Sequence, residues 1–142
     1  MRIYIKNLQK KIPINPKKIK GIARKVVSSE GRSVPAGSAI TLCFVDDRMI
    51  RRLNRKYHFR DAATDVLAFD LSDGRRMITD IVISTDTAVR NAKTFKTTPL
   101  YENHLYLVHG LLHIFGYDDH DAKGRGMMRR KEAHYLKESG IG

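Results

Sequence analysis

One stretch constrains this chain more than any other: His109-Gly110-Leu111-Leu112-His113-Ile114-Phe115-Gly116-Tyr117-Asp118-Asp119-His120. Two imidazoles four residues apart fall on one face of a helix, a spacing at which a single metal ion can be gripped. The histidines lie in an apolar run, Leu105–Phe115, so the helix is expected to pack against a core. Two histidines buried there without a partner would be costly, and a metal ion removes that cost. Gly116 is the left-handed stop expected beyond a helix end. After it the chain can turn back and offer a third ligand, Asp119 or His120. Any fold for this sequence must therefore let the end of one packed helix and the bend after it share an ion.

Helices that bind zinc in this way continue as His-x3-His-x5-His, and five residues past His113 the chain places Asp119. Aspartate is an acceptable zinc ligand. Imidazole is the softer and commoner donor, and one residue of loop slack would bring in His120 instead. Asp119 is taken as the third ligand, with His120 as the alternative. Three protein ligands leave a fourth position for water, the mark of a catalytic rather than a structural site. One Zn2+ ion is the expected cofactor, although the same donors also bind nickel and other transition ions. The metalloprotease helix carries a general-base Glu directly after its first His. Here that position is Gly110, which argues against a peptidase and requires that any proton transfer be supplied from elsewhere.

At 142 residues the chain reads as one domain, 1–142, large enough to bury a core. The lone Cys43 excludes an intrachain disulfide or a multi-cysteine zinc site. It sits in an apolar alternating run and reads as a small buried hydrophobe, so a cytoplasmic location fits. The start, MRIYIKNLQKK, has no apolar signal core, and no stretch approaches the roughly 18 apolar residues of a membrane span. Net charge is +12, which points to a polyanionic partner. The excess is confined to one part. Residues 1–60 hold 16 Lys/Arg against Glu30, Asp46 and Asp47, whereas residues 61–142 hold 11 against 12 Asp/Glu. Arg48, Arg51, Arg52, Arg55 and Lys56 cover the polar sides of one predicted helix and make a good phosphate-binding surface.

The order of elements follows from periodicity. Ile3 and Ile5 alternate with polar residues as a strand. Asn15-Pro16 starts a helix with Ile19, Ile22, Ala23, Val26 and Val27 inward, and Gly31 ends it. Ser38–Val45 reads as a strand. Asp46 caps a helix with a stripe of Ile50, Leu53 and Tyr57. Thr64–Leu71 and Met77–Ser84 read as strands joined by a turn at Asp73-Gly74, forming a hairpin. Thr85 or Asp86 caps a helix through Phe95. Thr98-Pro99 starts the histidine helix, which runs to about Phe115, and a last helix follows at about 125–138. This pattern predicts an α/β fold of the layered α+β kind: a short mixed sheet covered by helices, with the metal site on a helix of the C-terminal half and the loop after it.

The stretch His109-Gly-Leu-Leu-His113-Ile-Phe-Gly-Tyr-Asp118 resembles the signature of the YbeY family, metal-dependent bacterial endoribonucleases of ribosomal RNA maturation. Leu53-Asn54-x-x-Tyr57, Thr64-Asp65-Val66-Leu67-Ala68-Phe69 and Asp80-Ile81-Val82-Ile83-Ser84 resemble further blocks of that family, in the same order. The resemblance implies an α/β fold with zinc at the end of a cleft. It also implies cleavage of single-stranded RNA, 3′-end processing of small-subunit ribosomal RNA, and ribosome quality control, with ribosomal RNA and the ribosome as partners and no membrane. Oligomeric state is not indicated. Three positions depart from the pattern. Asp119 stands at the family's third histidine, His58 at an arginine implicated in cleavage, and Thr79 at a glycine. Arg60, or a protonated His58, is the expected catalytic cation, and Asp65 is a candidate acceptor orienting a ligand histidine. The rival readings are a non-catalytic, metal-braced ribosome-assembly factor and a metal-dependent hydrolase of a small substrate.

Overall fold

The computed structural model describes residues 1–31 and 33–140. Arg32 and residues 141–142, the end of the expected domain, lie outside the described residues. The elements are β1 (Arg2–Asn7), α1 (Pro16–Glu30), β2 (Ala39–Val45), α2 (Asp47–His58), β3 (Val66–Asp70), β4 (Ile78–Ser84), α3 (Thr85–Phe95), α4 (Pro99–Ile114) and α5 (Ala122–Glu138). Side-chain caps fix most of the helix starts. The Asn15 side chain accepts from the Lys18 N–H, Asp46 from Met49 and Thr98 from Tyr101, and Pro16 and Pro99 occupy the first turns where no N–H is needed.

The four strands form one mixed sheet in the order β1-β2-β4-β3. β1, β2 and β4 run parallel, and β3 pairs antiparallel with β4, Val66 opposite Ile83 and Asp70 opposite Thr79. β3 and β4 are the expected hairpin. Its turn is held by the Asp73 carboxylate, which accepts from the Arg75 and Arg76 N–H groups, and by Gly74 at φ +83°. β4 is central and reads as a continuous apolar run, Ile81-Val82-Ile83, because both of its faces are covered.

The main core lies between the sheet and α1, α3, α4 and α5, while a smaller cluster of Val45, Ile50, Leu67 and Val82 lies beneath α2 on the other face. The layered α/β architecture expected from the sequence is thus the one observed. α4 is the most enclosed helix, with Leu107, Leu111 and Leu112 fully buried, each contributing about 1.5–3 kcal/mol. Gly110 permits that closeness: a Cβ there would stand 3.0 Å from methyls of Ile81 and of Val66. The residue that interrupts the protease motif is therefore a packing glycine against the sheet.

Local readings differ in five places. α3 is capped by Ser84, not Thr85 or Asp86; its hydroxyl accepts from the Thr87 N–H. α5 begins at Ala122 rather than 125, because Asp121 accepts from the Gly124 N–H at 2.6 Å and overrides the glycines of the first turn. The buried side of α2 carries Ile50 and Asn54, and Tyr57 is exposed at its end. Cys43 is half-buried rather than enclosed. Leu105 of α4 and Phe115 just beyond its end reach only the margin of the core. Among the described residues no helix is long and apolar enough to cross a membrane.

Candidate metal centre

α4 delivers His109 and His113 from its last turns, and the chain leaves it sharply. Gly116 takes φ +97°, and the Gly116 and Tyr117 N–H groups close on the carbonyls of His113 and Leu112. This stop folds the following bend under the histidine face. The two Nε2 atoms stand 2.9 Å apart, and the Asp119 carboxylate lies 3.7 Å from His109 Nε2 and 4.0 Å from His113 Nε2. Ligands on a tetrahedral zinc with bonds near 2.0–2.2 Å sit about 3.4 Å from one another, so the three donors straddle the required spacing. Two imidazole nitrogens and one carboxylate oxygen, all within 4.8 Å of one another, fit a borderline-soft divalent ion. The residues present fit the group.

His120, the alternative third ligand, is exposed. Its backbone N–H donates to the Asp118 side chain at 3.3 Å, and the convergent group is His109, His113 and Asp119.

The periodicity of the sequence did not reveal the residue behind the first ligand. Glu132, projecting from α5, accepts from His109 Nδ1 at 2.8 Å with its side chain only 13% exposed. This bond fixes the ring and its tautomer, with the proton on Nδ1 and the Nε2 lone pair turned to the cluster. Burial works against a charge on His109. The Glu132 hydrogen bond and its negative charge, with Asp65 and Asp119 adding theirs, outweigh burial and raise the pKa above the ordinary imidazole value. Asp65 is thus close enough to act on the site electrostatically, but its carboxylate accepts from Val66 N–H and Thr64 Oγ1, and the orienting acceptor is Glu132. The one sequence signal for Glu132 was an acidic residue in a cationic helix, Arg129-Arg130-Lys131-Glu132.

The cationic residues lie on α2. Arg48, Arg51, Arg52, Arg55 and Lys56 are all exposed, and Arg51 is engaged by Asp61 through two contacts of 2.7 and 3.2 Å. His58 and Arg60 are exposed where α2 ends. His58 stacks on Phe69 with ring centroids 5.6 Å apart, on the α2 side of β3. Val66 and Ala68 point to the opposite face, toward α4. The segment 60–64 then leads from Arg60 to Asp65 beside the histidines. His109, His113 and Asp119 are therefore gathered into one group that could hold a metal ion, whereas His58 and Arg60, the two expected catalytic cations, are not part of it and lie exposed at the end of α2.

A chain built this way has counterparts. The sequence model of the family described as Endoribonuclease YbeY matches residues 4–140. An Endoribonuclease YbeY of Desulforamulus reducens is 37% identical over 153 residues, covering 99% of each chain. That of Myxococcus xanthus is 43% identical over 112 residues, 75% of this chain but 38% of the longer relative. The solution structure of TM1509 from Thermotoga maritima superposes with a TM-score of 0.65 at 26% identity, covering 96% of this chain and 88% of that one. With residues 4–140 matched by the family model and a relative aligned over 99% of both chains, the chain belongs to the Endoribonuclease YbeY family.

Proposed function

We propose that this chain, acting as one domain over 1–142, is a zinc-dependent endoribonuclease that cuts single-stranded RNA. Its task is ribosomal RNA processing in the cytoplasm, at the 3′ end of the small-subunit RNA and in ribosome quality control. The observation that carries the reading is the convergence of His109 Nε2, His113 Nε2 and an Asp119 oxygen, with the far nitrogen of His109 already fixed by Glu132. Three protein donors with room for water or substrate at a further position are the pattern of catalytic rather than structural zinc sites.

His109, His113 and Asp119 would hold the ion, which when bound supplies Lewis acidity toward a phosphoryl oxygen or an attacking oxygen. Glu132 holds His109 in register. Arg48, Arg52, Arg55 and Lys56 gather the phosphate backbone through charge, and the segment 60–64 leads it from α2 toward the histidines. Arg60, or a protonated His58, offsets the charge that builds on phosphorus. The absence of a glutamate at position 110 does not weaken this reading. A side chain there would point at Ile81 and Val66, away from the ligands.

The test compares RNA cleavage by zinc-loaded wild type, zinc-stripped wild type and His113→Ala, with circular dichroism verifying that each is folded. Cleavage by the zinc-loaded wild type alone supports the proposal. Equal cleavage by the stripped protein overturns it, and binding of ribosomal particles without cleavage by any form assigns the chain to ribosome assembly instead.

A further inference from the structure

Phe59 is 90% exposed, and the backbone is bent to put it there. It caps α2 at φ 57°, ψ 30°, a left-handed conformation that normally falls to Gly or Asn and disfavours bulky side chains. The turn is held by Asn54, itself 6% exposed: its carbonyl accepts from the Phe59 and Arg60 N–H groups, and its side-chain amide donates to the Ala62 carbonyl at 3.0 Å. The backbone thus fixes the direction in which the Phe59 side chain leaves the chain, out into solvent.

More aromatic surface lies beside it. Tyr57 is 53% exposed and meets Phe69 edge-on, centroids 5.5 Å apart at 68°. His58 lies over the same Phe69. Lys56 Nζ stands 5.2 Å from the centre of the Tyr57 ring. The same helix and the residues just after it carry the exposed cations Arg48, Arg52, Arg55, Lys56 and Arg60. Cations alone bind phosphate irrespective of base. An apolar face held out in a cationic field gains only when a flat partner covers it, and an unpaired nucleobase attached to a phosphate is such a partner. Bases inside a duplex are already stacked.

We propose that Phe59, with the Tyr57–Phe69 pair beside it, is a stacking platform for unpaired bases of a strand whose phosphates the α2 cations hold. The inference rests on the reading of the ligand as RNA. It adds that the strand is recognised through its bases, at a place separate from the metal ligands.

The experiment measures binding of full-length, zinc-loaded protein to a cleavage-resistant 2′-O-methyl phosphorothioate single strand, to an abasic strand of the same backbone, length and charge, and to the matching duplex, each across a range of salt. Stacking contributes about 1–3 kcal/mol per base, so wild type should prefer the base-bearing strand about 5- to 150-fold over the abasic one. Phe59→Ala and Phe59→Gly should lose most of that preference while keeping the slope of affinity against salt, and Phe59→Trp should retain it. Phe59→Gly relieves the left-handed strain, so a melting temperature at or above that of wild type shows that its loss is not misfolding. Equal affinity of wild type for base-bearing and abasic strands overturns the platform and leaves the phosphate reading standing. Undiminished base preference in Phe59→Gly overturns it as well. Failure of wild type to bind any strand sinks the RNA reading together with it.

Discussion

Replacing Glu132 with alanine tests whether the metal centre is organised from behind as the geometry requires. The carboxylate accepts from His109 Nδ1 at 2.8 Å in a largely enclosed position, and a hydrogen bond involving a charged partner contributes about 1.5–3 kcal/mol. Without it the ring is free to rotate and to place its proton on Nε2, the atom that should face the ion. Loss of such orienting partners typically costs 10- to 100-fold in metal affinity, about 1.4–2.7 kcal/mol, the same range as the hydrogen bond itself. Zinc affinity would be measured by competition with a chromophoric chelator at neutral pH, wild type against Glu132→Ala and Glu132→Gln. Glutamine still offers a carbonyl acceptor and should fall between the other two. If Glu132→Ala binds zinc as tightly as wild type while remaining folded, the contact is incidental and the reasoning fails.

Three further outcomes follow from the same geometry. Asp119→Ala should abolish stoichiometric zinc uptake while His120→Ala leaves it intact, read by elemental analysis; loss in His120→Ala alone would reverse the ligand assignment. Burial, reinforced by the charge of Lys18, pushes His104 down to about 4. The unfolded chain then binds the proton more readily, so stability should fall as pH drops from about 6.5 to about 4, by about 3 kcal/mol at most, and comparison with His104→Leu by urea titration at several pH values should isolate that slope. Gly110→Glu, which restores the protease motif, should create no peptidase and should destabilise the fold by several kcal/mol in chemical denaturation, because its Cβ meets Ile81 and Val66 and its carboxylate enters the core.

Some of this was legible in the residues and some was not, for physical reasons. The strands and helices follow from local periodicity, and the parallel β1-β2-β4 core shows in runs such as Ile81-Val82-Ile83, apolar on successive residues because both faces are covered. The pairing of His109 with His113 is a property of one helix, readable without tertiary knowledge. Glu132 was not, because it reaches His109 from another helix, and nothing local distinguishes a glutamate facing a histidine from one facing water. The same limit hid the partly buried set of Glu30 with Tyr117, Tyr135 and Lys131, which ties α1 to the bend and to α5. Caps failed where several cap residues adjoin. Ser84, Thr85 and Asp86 all have the chemistry, and only the course of β4 into α3 decides that Ser84 holds the cap. Asp86 instead accepts from the Asp47 N–H. Phe59 reads as any loop aromatic until its positive φ and its exposure are seen together.

The choice between Asp119 and His120 shows how backbone geometry ranks above ligand chemistry. Judged by donor softness alone, His120 is the better zinc ligand. The bend does not offer it. At one end Gly116 turns the chain at φ +97°, and the Tyr117 hydroxyl is fastened to Glu30 at 2.6 Å. At the other end Asp121 caps α5, and Gly124 lets the Asp118 carbonyl come so near that a Cβ there would stand 2.7 Å from it. Between these two anchors few residues have freedom, and their order along the bend decides which one faces the histidines. Position 119 does, so the aspartate there is the donor brought near the two imidazoles. A carboxylate in that place also lowers the net charge of an occupied site relative to a third imidazole, which weakens its pull on phosphate. On the proposed function, the exposed cations of α2 would offset that loss from outside the ligand set. The ligand set and the cationic helix are in this sense complementary, and a change in either should be felt through the other.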